Sequence, residues 1–478
     1  MYVEQLYTGC LAEAAYYIEA NGEAAIIDPL RETEPYLEIL AKRGAKLKYV
    51  LETHFHADFV SGHLDLAKLT GAKLIFGPTA SPSYSSYIAE DGERFELGNI
   101  EIKVLHTPGH TMESTTFLLI DEHGKDHAVF TGDTLFIGDV GRPDLAVKSD
   151  LTQEDLAGLL YESLQNKILP LADEVIVYPA HGAGSQCGKN LSKETVSTIG
   201  EQRKYNYALQ PMTKQQFIEV VTDGITAPPA YFPENARINR EGYQNIDEVL
   251  KRNLKALSLA SFQESLDAGA LVLDTRHEDL FELAFIENSL NIPLNGQFAV
   301  WVGTLIKIDQ PLVLITEAGK EYESVLRLAR VGFEKVAGYL EGGIDTWKNG
   351  GKSISTIPSI EAGLVPAYVS SGYEILDVRR SSEAETEHVS GAINISLMDL
   401  ENRLKELSKT SKYVLHCAGG YRSMIASSVL SSHGFTNFVN VHGGFAKISK
   451  VPGIQVIAGK CPTTLAKRKT RIIEILNN

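Results

Sequence analysis

Cysteine is scarce in this chain, long apolar runs are missing, and positive charge falls short of negative. The 478 residues include only four cysteines, Cys10, Cys187, Cys417 and Cys461. None forms a C-x-x-C pair, so no disulfide framework is expected and each thiol has to be judged singly as a core residue or a reagent. The lack of low-complexity tracts and of spanning apolar segments argues against disorder and against a membrane protein. Lys and Arg number 45 against 61 Asp and Glu, a formal charge of −16. Nucleic acid and anionic membranes are therefore poor partners, because phosphate binding is driven by Lys and Arg. The one basic cluster, Lys467 to Arg471, reads as a solvated tail. The segment MYVEQLYTGCLAEAAYYIEA carries Glu4 and Glu13 and has neither a basic region nor an uninterrupted apolar one, so a cytoplasmic location is expected.

What is present suggests three domains, since a core rarely serves more than roughly 100–200 residues. The first half alternates short β-rich runs with turns: AAIIDP, KYVLETH, KLIFG, IEIKVLHTPGH, HAVFTGD and VIVYPAH. Polar motifs recur at the carboxyl ends of these runs, where α/β proteins build active sites. The stretch APPAYFPENARINR, with Pro228, Pro229 and Pro233, reads as a connector, and a boundary is expected near residue 250. Beyond it the sequence repeats with an offset near one hundred residues. ALVLDTR answers YEILDVR, NSLNIPL answers GAINISL, and PLVLITEAGKEYES answers KYVLHCAGGYRS. The expected division is 1–250, 251–354 and 355–478.

The strongest local signal is THFHAD, with His54, His56 and Asp58 just after an apolar run. It is joined by His110 in TPGHT, Asp133 in FTGDTLF and His181 in YPAH. Imidazole and carboxylate together favour Fe, Zn or Mn over Ca. These motifs, in this order, resemble the metallo-β-lactamase superfamily. The resemblance implies an αββα sandwich and room for up to two metals, the second held partly by a histidine directly after the motif's Asp. Phe59 stands there instead, which argues against a stable second cation. What remains resembles the persulfide dioxygenase branch, where the resemblance assigns one Fe(II) per chain to His54, His110 and Asp133. Two imidazoles and a carboxylate leave positions for dioxygen and an anionic persulfide sulfur. His56, Asp58 and His181 would then orient ligands and substrate. The resemblance also implies that Arg142, in GRPDL, holds a carboxylate of the thiol carrier. A tyrosine that glutathione-using members carry two positions after the YPAH histidine is absent, since Gly182 and Ala183 follow His181. That leaves glutathione, coenzyme A or another small thiol open as carrier. Cys187 is either a thiol at the rim of the metal pocket that relays a persulfide or an ordinary buried one.

In the last repeat Cys417 follows an apolar strand and opens a loop with Gly419, Gly420, Tyr421 and Arg422 ahead of an apolar helix. Inward backbone N–H groups and a helix amino terminus stabilise a thiolate there. The stretch resembles the rhodanese family, whose six-residue loop suits a single sulfur. This implies a catalytic Cys417 that carries sulfane sulfur and passes it to sulfite. In the first repeat Glu317 is read at the cysteine's place, and Phe285 replaces His388. That copy is expected to be structural, with a binding site at Glu317 and Lys320 as its alternative. The whole is expected to be an α/β enzyme that oxidises a small-molecule persulfide with dioxygen and passes sulfur to sulfite, with a zinc thioester hydrolase resembling glyoxalase II as the alternative. Homo-oligomers are expected.

Overall fold

The computed structural model describes residues 1–146, 151–189, 191–225 and 227–458. Cys461 and the basic run Lys467 to Arg471 lie outside the described residues. The chain divides into two compact units, the first Met1–Val249 with Leu328–Phe333, the second Leu250–Arg327 with the chain from Glu334 onward. No helix among the described residues is long and apolar enough to cross a membrane.

The first unit is built on two six-stranded sheets, each with its strands side by side in chain order. One holds β1 (Tyr2–Thr8), β2 (Glu13–Ala20), β3 (Glu23–Ile27), β4 (Lys46–Glu52), β5 (Lys73–Phe76) and β6 (Tyr87–Ile88). The other holds β7 (Arg94–Leu97), β8 (Ile100–His106), β9 (Thr115–Ile120), β10 (Asp126–Gly132), β11 (Ile176–Pro179) and β12 (Ser197–Thr198). Alternation along the strands sorts the side chains. Tyr16 and Ile18 of β2 enter the core between the sheets with Leu51, Ile102, Phe117 and Phe130. Tyr17 faces the other way, where Val50 and Leu74 pack with Tyr36, Leu40 and Leu66. On the outer face of the second sheet, Leu118 and Val129 meet Leu160, Leu164 and Phe217. With both faces covered, a strand such as TTFLLI is buried throughout, which is why such runs read as continuous apolar stretches. This is the expected αββα sandwich.

β8 and β10 each pair antiparallel with β9, and β10 pairs parallel with β11, so β8, β10 and β11 end at one edge. Gly132, at the end of β10, lies against Thr53 just past β4, with φ +50° and room for no side chain, since a Cβ would sit 2.7 Å from that of Thr53. The stretch read as a connector belongs to this unit. Pro233 stands in the first turn of a helix, Phe232–Glu241, a position that suits proline because the N–H it lacks has no partner there.

In the second unit each sequence repeat forms a five-stranded parallel sheet. The first copy uses β13 (Ala256–Leu257), β14 (Leu271–Asp274), β15 (Leu290–Asn291), β16 (Leu312–Ile315) and β17 (Val336–Leu340), in the order β13-β17-β16-β14-β15. The second copy has β18 (Ser359–Glu361), β19 (Tyr373–Asp377), β20 (Glu387–Val389), β21 (Ile393–Asn394), β22 (Lys412–His416), β23 (Phe438–His442) and β24 (Val456–Ala458). Its main sheet runs β18-β23-β22-β19-β21, the same topology, while β20 pairs with β24. Each copy has its own core, around Phe262, Val313 and Trp347 in one and around Val414, Val441 and Ile448 in the other.

Candidate functional sites

The strand ends of the first unit bring His54, His110 and Asp133 together, with one ligand atom from each within 4.8 Å of the others, all buried. His110 Nε2 lies 3.3 Å and His54 Nε2 4.0 Å from Asp133 Oδ2. The hydrogen-bond network assigns the tautomers. His110 Nδ1 lies 2.9 Å from the Arg142 carbonyl and His181 Nδ1 lies 3.1 Å from the Ala12 carbonyl. A carbonyl only accepts, so both Nδ1 atoms carry hydrogen and both Nε2 atoms point inward. For His54 the partner is Thr53, whose hydroxyl donates to Asp28 Oδ2 at 2.7 Å and so accepts from Nδ1 at 3.0 Å. Burial, and then the neighbouring histidines, hold His54 well below the usual imidazole range, in the neutral form that binds a metal. Both Asp133 carboxylate oxygens and His181 Nε2 are buried without a hydrogen-bond partner. Such orphaned atoms fit a cation at their centre.

A second donor set, His56, Asp58 and His181, also converges within 4.8 Å, as does Asp133, His181 and Cys187. His181 Nε2 lies 3.4 Å from both Asp58 Oδ2 and Asp133 Oδ1. His56 turns its Nε2 away to Asp28 at 3.2 Å and Glu52 at 3.7 Å. Burial works against its charge, but Asp28, Glu52 and Asp58 push His56 up to about 10. Phe59 is fully buried, its ring centroid 4.3 Å from that of His56. Cys187 is buried beside Asp133, and burial followed by Asp58 and Asp133 raises its thiol well above the usual range. It is thus both a buried thiol and part of the pocket.

Arg142 departs from expectation. Its Nε and Nη2 hold Asp144 at 2.6 and 2.7 Å, and its Nη1 donates to the Gln186 carbonyl at 3.2 Å. The fork expected to take a substrate carboxylate therefore takes one from its own chain. Sequence reading also missed Asn239, whose Nδ2 donates to the carbonyls of His56 and Phe59, both at 2.8 Å, and whose Oδ1 accepts from Ser61 N–H at 2.9 Å. This one amide fixes the backbone of the metal loop. The only signal for it was an asparagine in a helical stretch rich in charge.

Cys417 follows β22 and is buried. The Gly420 N–H donates to its Sγ at 3.1 Å, and Gly420 adopts φ +125°, open only to glycine. No side chain would be obstructed at Gly419. Arg422 pairs bidentately with Glu383 at 2.6 and 2.9 Å. Tyr421, expected to touch substrate, instead donates its hydroxyl to the Pro293 carbonyl of the first copy at 2.9 Å. Together with the bond from Asn291 N–H to Ser428 Oγ at 3.1 Å, it makes the first copy a buttress for the loop and helix of the second.

Register corrects the alignment of the copies. Asp377 stands opposite His416, and its counterpart Asp274 opposite Ile315. The residue at the Cys417 position is therefore Thr316, and Glu317 follows it, accepting from His277 N–H at 3.1 Å. A hydroxyl, like a carboxylate, carries no persulfide. Lys320 pairs with Glu323 at 2.8 Å, so Glu317 and Lys320 do not form a joint site, and Phe285 stacks on Phe281 at 4.2 Å.

Known proteins agree with this geometry. The pattern of the metallo-beta-lactamase superfamily matches residues 8–181, and that of the rhodanese-like domain matches 258–350 and 366–450. The human mitochondrial protein named persulfide dioxygenase ETHE1 is 32% identical over 202 residues, 42% of this chain and 71% of that one. A probable hydroxyacylglutathione hydrolase of Schizosaccharomyces pombe is 32% identical over 182 residues, 37% of this chain and 66% of that one. The crystal structure of a metallo-beta-lactamase from Staphylococcus aureus superposes with TM-score 0.63 and 30% identity, covering 71% of this chain and 98% of that one. Imidazoles converging on a buried carboxylate, followed by a cysteine loop on the second of two like domains, mark an enzyme of sulfur chemistry: the chain belongs to the persulfide dioxygenase family of the metallo-β-lactamase fold and continues into rhodanese-like domains.

Proposed function

We propose that this enzyme oxidises the outer sulfur of a small thiol persulfide to sulfite and uses Cys417 to combine sulfite with sulfane sulfur as thiosulfate. The observation that carries the reading is the inward-facing set of His54, His110 and Asp133, two imidazoles and an orphaned carboxylate. Those three would hold one Fe(II), which when bound supplies the electron chemistry that lets dioxygen react with sulfur. Overall, a persulfide, dioxygen and water give thiol, sulfite and two protons. Asp58 and His181 stand beside the triad to hold and move those protons, while Thr53, Ala12 and Arg142 keep the rings oriented through their oxygens. At the second site the Cys417 thiolate takes the outer sulfur of a second thiol persulfide, releasing that thiol, and the resulting Cys417 persulfide is attacked at its outer sulfur by sulfite. The S–S bond breaks, thiosulfate leaves, and the Cys417 thiolate returns to the Gly420 N–H.

The Asp144-bound Arg142 and the missing tyrosine both favour a carrier other than glutathione. The free thiols Cys10, Cys187 and Cys417 suit a reducing, cytoplasmic setting.

The second donor set, His56 with Asp58 and His181, favours a two-zinc thioester hydrolase as the rival. Anaerobically loaded protein decides between them. One iron per chain with persulfide-dependent oxygen uptake, lost on the order of 100-fold or more in Asp133→Ala, supports the dioxygenase. Two zinc ions and hydrolysis of a glutathione thioester without oxygen uptake would overturn it.

A further inference from the structure

The helix Phe232–Glu241 carries a polar face that the mechanism above does not use. Tyr231, Asn235 and Asn239 follow one another at intervals of four residues, so they share one side of the helix. Asn239 places that side against the metal loop through its bonds to His56, Phe59 and Ser61. One turn earlier, the Asn235 side chain is fully buried, and neither its Nδ2 nor its Oδ1 has a hydrogen-bond partner. A further turn back, Tyr231 is 3% exposed. Burial, and after it the charges of Asp58 and Cys187, raise the Tyr231 hydroxyl.

A buried amide with donor and acceptor both idle is costly in the free protein, and such groups are rare in cores. Asn239, on the same helix, shows what an amide does here when it is partnered. Resting on the persulfide reading, we infer that Tyr231 and Asn235 form the substrate wall of the metal pocket and recognise an uncharged amide of the thiol carrier close to its sulfur. A carboxamide donates through nitrogen and accepts through oxygen, which matches a carrier amide group for group. The Tyr231 hydroxyl supplies a further hydrogen bond beside Asp58 and Cys187. These two residues then do what the absent tyrosine after His181 and the Asp144-bound Arg142 do not. They are positioning residues, with no atom in the bonds made or broken.

The test compares two substrates on iron-loaded full-length enzyme: the persulfide of N-acetylcysteamine, with an amide two carbons from sulfur, and inorganic hydropersulfide, which has none. Asn235→Leu, close in size, should lower kcat/KM about tenfold for the amide substrate, mainly through KM, and leave the inorganic one within about twofold. Tyr231→Phe should act in the same direction. On metal-free protein, N-acetylcysteamine should raise the Tm of the wild type and not that of Asn235→Leu. The variant's own Tm should equal or exceed the wild type's, because an idle buried amide has been removed. A lower Tm with equal losses on both substrates would make Asn235 structural and overturn the inference, as would unchanged kinetics. If wild-type enzyme consumes no oxygen with either persulfide, the dioxygenase reading fails, while the Tm shift still reports on the wall.

Discussion

At the scale of single residues, Phe59 carries the proposal of a single metal in the first unit. Its position follows the motif Asp58, and its buried ring packs on His56 where a further imidazole would offer a ligand. Phe59→His restores that ligand. We expect the zinc content of protein grown in excess zinc to rise from one toward two per chain, measured by elemental analysis. The variant should lose stability without metal, because a polar ring replaces an apolar one in a dry site, and regain it with metal. A stoichiometry that stays at one would show that His56, held by Asp28 and Glu52, is withheld from any second site. These residues were legible from the chain because each motif sits at the end of an apolar run. What His56 faces was not, since Asp28 stands just past the neighbouring strand β3, and it sets the ring's orientation together with Glu52 at the end of β4.

At the scale of elements, the cysteine loop is held from two sides. Tyr421 reaches the Pro293 carbonyl of the first copy. Tyr421→Phe removes one hydrogen bond, worth about 1 kcal/mol net, and should slow sulfur transfer to sulfite up to about five-fold with oxygen uptake unchanged. An equal rate would mean that the loop is ordered without the buttress. On the other side, Glu383 pairs with Arg422. Burial would raise the Glu383 carboxyl, but Arg422 outweighs it and holds the carboxyl below the usual range. A depressed folded value means that the pair's stabilisation is complete above the unfolded pKa of about 4.3. It is lost as pH falls through the folded value. The Tm gap between wild type and Glu383→Gln should therefore be widest near neutrality and close in acid, read by thermal scans across pH. A gap independent of pH would show that the pair is not what Glu383 contributes. Neither contact could be read from the sequence, where Tyr421 looked like a substrate contact and the partners lie 128 and 39 residues away.

At the scale of the whole molecule, the proposed oxidation and transfer would fall on separately folded cores, and the tether would raise the effective concentration of any shared sulfite. Wild-type enzyme given persulfide and oxygen should release mostly thiosulfate. Cys417→Ser keeps the size of the side chain but removes the sulfur acceptor, so it should consume oxygen at the wild-type rate and accumulate sulfite, measured by labelling the products. An undiminished thiosulfate yield would move transfer to another thiol, with Cys187 first in line. The sequence by itself determined the αββα sandwich, the duplicated parallel domains and the identity of the converging metal motifs. Strand periodicity and strand-end polar residues are local patterns, fixed by which faces must be buried. Only the tertiary structure decided that Arg142 is held by Asp144 and that Thr316 occupies the cysteine position of the first copy. It alone showed that a proline-rich stretch is a helix whose Asn239 locks the metal loop. Each of these depends on a partner brought in from a distant part of the chain, and no local pattern encodes which group will lie across a packed interface.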